Sequence, residues 1–183
     1  FALRGTLDSG PADTLVLDAT ASTTLGELTA RGPLRIVAGL AGTRLRVTAS
    51  GADFRATAAS LGWTPGPGVG PAGRYRAEAD VTLRPGRVGI AYARLSVGSE
   101  ELRLDGSIAL ARGAAGPALR FELNGSDASG RVPRLLVTGL PATPYRAQGR
   151  WRRAASATRI DGLRLSLADA TLRVDGRVGD APG

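Results

Sequence analysis

Few residues in this 183-residue chain could perform chemistry. Cys, His, Lys and Met are absent, so all 24 basic residues are arginine. A cysteine nucleophile, a histidine base, a Schiff-base lysine and metal sites built on His or Cys are therefore excluded. Carboxylates remain, and two arrangements stand out: the adjacent pair Glu100 and Glu101, and the aspartates Asp105 and Asp175, each followed by glycine.

Glu100 and Glu101 stand at the start of an alternating segment. Adjacent residues of a β-strand point to opposite faces, so the two carboxylates could not act together on one bond. We expect the pair to lie in a solvated turn.

Asp105 and Asp175 recur at the same phase of two similar segments, a pattern that could indicate a metal site. Each is a single carboxylate in an alternating strand, with Arg103 or Arg173 on the same face. Charge pairing on a wet face is the simpler interpretation. The sequence thus predicts no enzyme, no catalytic or metal-binding residue and no cofactor.

The densest basic cluster is Arg150-Trp-Arg-Arg153. With 24 Arg against 16 acidic residues, the chain has a formal charge of +8, which favours polyanionic partners. Nucleic acid is disfavoured because only eight aromatic side chains are available for stacking on bases. Arg150, Arg152 and Arg153 could contact anionic lipid headgroups, or the segment could be an ordinary strand with Trp151 inward.

Alternation of apolar and polar residues dominates the chain and is typical of half-buried strands. It is clearest in 44–50, 75–84, 102–110, 119–124 and 172–178. One apolar and one wet face indicate antiparallel pairing. We predict an all-β protein of about eleven strands.

A single short helix is expected near 53–61. Asp53 could cap it, and Phe54, Ala58 and Leu61 would share one helix face. So few helical residues cannot cover the apolar face of the sheet, which must therefore curl onto itself.

The chain repeats itself at an offset of 70 residues, and more weakly at 74. Thirteen of the forty pairs that join 71–110 to 141–180 are identical. We interpret 1–70 and 71–140 as two full repeats and 141–183 as a partial third, in a fragment of a longer chain. Repeats of this kind bury a continuous face by stacking edge to edge.

The segments Ala49-Ser-Gly-Ala-Asp-Phe54, Gly73-Arg-Tyr-Arg-Ala77 and Leu102-Arg-Leu-Asp-Gly106 resemble the repeats of the AsmA family, which includes the TamB-like proteins. The resemblance covers Phe1 to about Val178 and brings no catalytic residue. It implies a U-shaped β-groove with an apolar interior that conducts phospholipid towards the outer membrane. It also implies a periplasmic protein of Gram-negative bacteria, tethered to the inner membrane outside this chain, with envelope membrane proteins at its ends.

One set of inward-phase residues should line such a groove, where the frequent Ala and Gly leave width for an acyl chain. The set is Leu45, Val47, Tyr75, Ala77, Val81, Leu95, Val97, Leu102, Leu104, Leu119, Phe121, Leu123, Leu163, Leu165, Leu172 and Val174. The alternative is a structural β-repeat, an adhesin-like or envelope scaffold whose core is filled by side chains. Bound lipid in the purified chain would distinguish the two.

Overall fold

The computed structural model describes residues 1–11, 14–36, 39–60, 73–110, 116–128, 142–154 and 157–179. These residues form eleven strands and one helix. In chain order they are β1 (Ala2–Ser9), β2 (Thr14–Thr23), β3 (Gly26–Arg35), β4 (Arg44–Gly51), α1 (Phe54–Ser60), β5 (Tyr75–Arg84), β6 (Arg87–Val97), β7 (Glu100–Ala109), β8 (Ala118–Gly125), β9 (Tyr145–Ala154), β10 (Ala157–Leu167) and β11 (Ala170–Gly179).

All eleven strands belong to one sheet, in which each strand pairs with its neighbours in the sequence. Every pairing is antiparallel. Within the described part of the chain β1 and β11 do not pair with one another, so the sheet is open, consistent with a curled groove. The predicted all-β class, the strand number and the single short helix are confirmed.

The observed strand bounds agree closely with the alternating segments of the sequence, because alternation lasts as long as one face of the strand is covered and the other is wet. The predicted segment 75–84 coincides with β5, and 44–50 differs from β4 by one residue. Hairpin turns occupy Pro85-Gly86 and Gly98-Ser99, where both glycines have a positive φ that suits a tight turn.

The helix α1 lies between β4 and β5 and begins where the sequence predicts a cap. The Asp53 carboxylate accepts the backbone N–H groups of Arg55 (2.8 Å) and Ala56 (3.2 Å), which have no partner inside the helix. The Phe54 N–H donates to the carbonyl of Gly73 (3.0 Å) and ties the helix start to the approach of β5. Position 61, the end of the predicted helix, lies outside the described residues.

The repeat is visible in the strand bounds. Shifting β3 and β4 by 74 residues gives the bounds of β7 and β8, and shifting β5, β6 and β7 by 70 gives those of β9, β10 and β11. A β-bulge repeats as well: two residues of β6 (Ala91 and Tyr92) lie opposite Asp105, and two residues of β10 lie opposite Asp175. The sheet is therefore built from a recurring four-strand unit.

One glycine of this unit permits a close approach between strands. Gly32 and Gly106 occupy equivalent positions with φ values of 144° and 135°. A methyl group at Gly106 would collide with the carbonyl oxygen of Ala118 on β8. Gly176 holds the same position on the edge strand β11, where a methyl group would meet nothing within 4 Å.

This difference predicts unequal effects of the same substitution. Gly106→Ala should lower the free energy of unfolding by about 2 kcal/mol or more, through backbone strain and the collision with β8. Gly176→Ala should change it by less than about 0.5 kcal/mol. Urea denaturation of both variants measures the contrast, and equal losses would contradict the close approach of β7 and β8.

Candidate functional site

The strand registers collect the apolar residues on one side of the sheet, which we call the apolar face. Leu95 lies opposite Leu102, and Leu102 lies opposite Leu123, so three successive strands present leucine at one level. The registers place all sixteen predicted lining residues on this face: Leu45, Val47, Tyr75, Ala77, Val81, Leu95, Val97, Leu102, Leu104, Leu119, Phe121, Leu123, Leu163, Leu165, Leu172 and Val174.

A central row of leucine and alanine crosses the whole sheet without interruption, each residue being the register partner of the next. The row is Leu3, Ala21, Leu28, Ala49, Ala77, Leu95, Leu102, Leu123, Ala147, Leu165 and Leu172. Eleven strands at the usual spacing make this row about 48 Å long.

The central row is open to solvent near both lateral margins of the sheet and half-buried over most of its middle. Leu3 is 69% exposed, Leu28 47% and Leu172 43%, whereas a leucine in a packed core would be almost fully covered. Soluble proteins seldom expose a contiguous apolar surface of this extent unless it binds something.

Other parts of the apolar face are filled by side chains. Leu165 is only 3% exposed and packs with Ala128 and Tyr145 into a buried cluster, against which Leu123 and Ala147 lie. The cluster covers the end of β9 nearest Tyr145. The apolar face is therefore open at its two lateral margins and filled near β9 and β10.

Beneath α1 the apolar face forms a depression of about 330 Å³. The ring of Phe54 meets that of Tyr75 edge to face, with centroids 5.7 Å apart, and Ala58 is buried. Ala49 and Ala77 are among the residues that form its floor. Because these floor residues are small, space remains between the helix and the sheet.

Tyr75 and Tyr145 occupy equivalent positions in two repeats and make the same packing contact. Each ring lies over a glycine of the preceding strand, Gly51 and Gly125 respectively, where a methyl group would collide with the ring. The repeats differ at one neighbouring position. The Tyr75 hydroxyl lies beside Gly26, whereas the Tyr145 hydroxyl donates a hydrogen bond to the carboxylate of Glu100.

The prediction of a solvated turn is wrong for Glu100. Its side chain lies on the apolar face and is only 6% exposed, because the ring of Tyr145 and the backbone near Gly125 cover it. One carboxylate oxygen accepts a hydrogen bond from Tyr145, and the other is buried with no hydrogen-bond partner among the described residues. Nothing in the local sequence indicates this burial, because Tyr145 follows 45 residues later.

Glu101 points to the opposite face, as the alternation predicts. It forms ion pairs with Arg94 and, at 2.8 Å, with Arg103. The hydrogen bond from Arg94, helped by that from Arg103, holds the pKa of the Glu101 carboxyl below its ordinary value. The two adjacent glutamates thus meet entirely different surroundings.

The second face of the sheet, here called the outer face, carries cross-strand ion pairs. Arg31 lies 2.9 Å from Asp18, and Arg46 lies 2.9 Å from Asp80. The hydrogen bond from Arg46 lowers the pKa of the Asp80 carboxyl. Exposed pairs of this kind contribute little to stability, but they keep this side of the sheet hydrated.

Asp105 and Asp175 lie on the outer face with Arg103 and Arg173, as predicted, and Asp105 lies opposite Arg120, but neither aspartate forms an ion pair with Arg103 or Arg173 among the described residues. Arg103 pairs with Glu101 instead. Asp175 accepts the backbone N–H of Gly162 at 2.5 Å, since it lies opposite the bulge of β10. Among the described residues no group of three or more acidic side chains could hold a metal ion.

The basic cluster of β9 is divided by the strand. Trp151 lies on the apolar face opposite Leu119, as predicted for an ordinary strand, and is half-buried. Arg152, on the outer face, lies 2.6 Å from Asp161. Arg150 lines an outer-face depression of about 630 Å³, whereas Arg152 and Arg153 line a different one, of about 340 Å³.

The chain matches no known family model, no curated protein and no solved structure. In the part of the chain that the structure describes, the one helix is too short to cross a membrane. The candidate site is therefore defined by geometry: an apolar face with open margins, backed by a charged outer face.

The contrast between the two tyrosines makes a stability prediction. Tyr145→Phe should lower the free energy of unfolding by about 1–3 kcal/mol, because it leaves the buried Glu100 carboxylate without a donor. Tyr75→Phe is the matched control and should cost less than about 0.5 kcal/mol. Its hydroxyl has no hydrogen bond to lose among the described residues.

A double-variant cycle isolates the hydrogen bond itself. In a Glu100→Ala background, Tyr145→Phe should cost almost nothing, since no buried carboxylate remains to be satisfied. Denaturant midpoints of the four proteins give the coupling free energy. A Tyr145→Phe cost that persists in the Glu100→Ala background would show that ring packing, not the hydrogen bond, makes this site stable.

Proposed function

We propose that this chain is a non-enzymatic segment of an AsmA-like envelope protein whose apolar face holds the acyl chains of phospholipid and conducts them between the inner and outer membranes. The proposal includes a periplasmic location, which comes from the resemblance of the repeats. The observation that carries it is the central row, which crosses all eleven strands and is 43–69% exposed at Leu3, Leu28 and Leu172.

The chemistry of the row suits an acyl chain. Every position offers only leucine or alanine, so a hydrocarbon loses contact with water and meets no polar group that would need a partner. Burial stabilises each methylene by about 0.8 kcal/mol. Because successive repeats present similar surfaces, a bound chain could move from one to the next with little change in free energy.

The outer face supports the same interpretation. Its ion pairs, such as Arg46 with Asp80 and Arg94 with Glu101, keep one side of the sheet in water. A sheet with one wet face normally buries the other against a second layer. Here α1 is the only helix of the described residues and covers a small part of the apolar face.

A structural scaffold with a filled core is the second candidate. The buried cluster of Ala128, Tyr145 and Leu165 favours it, because this part of the apolar face has no room for a ligand. The scaffold requires that the open margins also be covered by protein. The two functions therefore differ in what contacts Leu3, Leu28 and Leu172.

Photo-crosslinking distinguishes them. A photoreactive amino acid at Leu104 or Leu172 points along the apolar face, and the same probe at Arg103 or Arg173 on the adjacent strand position points outward. In the presence of phospholipid vesicles, we expect lipid adducts at least several-fold more abundant at the two leucines. Mass spectrometry of the purified adducts measures the ratio.

A charge placed on the row supplies the complementary test. Leu172→Asp should reduce the amount of co-purified phospholipid strongly, because an ionised carboxylate is costly beside an acyl chain. Thr171→Asp makes the same charge change on the outer side of β11 and should have no effect. Leu104→Asp and Val174→Asp repeat the test in two other places.

Folding is expected to survive Leu172→Asp, since that side chain is already 43% exposed, and circular dichroism verifies it. Equal lipid content in the Leu172→Asp and Thr171→Asp proteins, or equal adduct yields on the two faces, would overturn the conduit and leave the scaffold.

A further inference from the structure

Three arginines lie directly opposite one another at one end of the sheet. Arg159 of β10 is the register partner of Arg152 on β9 and of Arg177 on β11. Like charges at opposed positions of antiparallel strands destabilise the pairing. Such a row therefore needs compensating negative charge.

The protein supplies only part of that charge. Asp161 forms ion pairs with both Arg152, at 2.6 Å, and Arg159. Within the described ranges, Arg177 has no acidic partner, and the same holds for the nearby Arg87 and Arg153.

These five arginines surround a single pocket of about 340 Å³, which we call the arginine pocket. Its described lining is Arg87, Gly116, Pro117, Ala118, Arg152, Arg153, Ala157, Arg159 and Arg177. The lining contains no acidic side chain. Ala118 is the register partner of Arg152, so its small side chain leaves space where a longer one would fill the pocket.

The arrangement departs from the rest of the outer face. Opposed arginines also occur elsewhere, but there carboxylates flank the pair, as in the rows Asp18, Arg31, Arg46, Asp80 and Asp105, Arg120, Arg150, Asp161. The arginine pocket instead brings together four outer-face arginines, one each from β6, β9, β10 and β11, and Arg153 adjoins it at the end of β9. General basicity of the chain does not explain why, among the described residues, three opposed arginines share the single carboxylate of Asp161.

We propose that the arginine pocket binds a phosphate-type oxyanion. Guanidinium groups present paired N–H donors that match two oxygens of one phosphate, and several around one anion bind more tightly than a single charge. The volume exceeds that of phosphate alone and accommodates a phosphate ester. The site requires only the arginines and stands whether or not the apolar face binds lipid.

The test compares two arginines of the same strand. Arg177 lines the pocket, and Arg173 lies four residues earlier on the same face of β11, exposed and outside it. Inorganic phosphate and glycerol 3-phosphate are titrated by calorimetry at about 150 mM salt, which screens distant charges. Arg177→Gln should raise the dissociation constant about tenfold or more, whereas Arg173→Gln should raise it less than about twofold.

Vesicles distinguish a free phosphate from a lipid headgroup. Flotation is measured with phosphatidylglycerol in phosphatidylcholine and with phosphatidylcholine alone. Binding of the free phosphates that depends on Arg177 assigns the pocket to a soluble ligand. Flotation that requires both Arg177 and phosphatidylglycerol, without free-phosphate binding, assigns it to a headgroup.

Two results would overturn the arginine pocket. One is that the unaltered chain binds neither free phosphate nor phosphatidylglycerol vesicles; the other is equal losses for Arg177→Gln and Arg173→Gln, which would mean attraction by net charge only. Arg87→Gln, from a different strand, should reproduce Arg177→Gln. The Leu172→Asp protein separates this site from the conduit, because it should lose phospholipid acyl chains from the apolar face yet retain binding of free phosphate.

Discussion

The backbone register of the eleven-stranded sheet is the constraint on which the rest of the structure depends. Side chains alternate with a period of two, so a slip of one residue in any strand would move its leucines to the outer face. The register of each strand pair determines which residues lie opposite one another in the next pair. The central row is continuous across all ten pairings. The bulges of β6 and β10 absorb an extra residue without breaking that row.

A single sheet with so little covering it obtains its stability in an uncommon way. Few of the described side chains are buried, and several of them lie where a tyrosine covers a glycine, at Tyr75 with Gly51 and at Tyr145 with Gly125. These contacts cover the strand ends on one side of the groove. The remainder of the apolar face is left half-covered, and the ladder of backbone hydrogen bonds holds the strands together.

The sequence predicted the fold well because alternation and turn residues are local signals. β5 appears in the sequence as an unbroken pattern, and Asp53 identifies the start of α1 through its capping chemistry. The predicted lining residues share one face for the same reason, since their phase follows from the strands alone.

Features that depend on distant partners could not be predicted in this way. The burial of Glu100 requires Tyr145, which the topology brings across from β9. The opposition of Arg159 with Arg177 depends on the bulge that shifts the register of β10. Neither feature can be recognised in the nearby sequence, because both depend on the register between strands rather than on the residues of a single strand.

The two proposed sites lie on opposite faces of the sheet, because Arg152, Arg159 and Arg177 belong to the outer face and the central row belongs to the apolar face. On β9, Arg152 follows Tyr145 by seven residues, which is about 23 Å along an extended strand. The tyrosine-covered end is dry and filled, whereas the arginine end is open and positively charged. The sheet itself therefore separates a phosphate in the arginine pocket from the central row. A lipid that occupied both sites would have to pass around the arginine ends of the strands, since the tyrosine-covered ends are filled, so binding of free phosphate and binding of acyl chains are independent properties of the two faces.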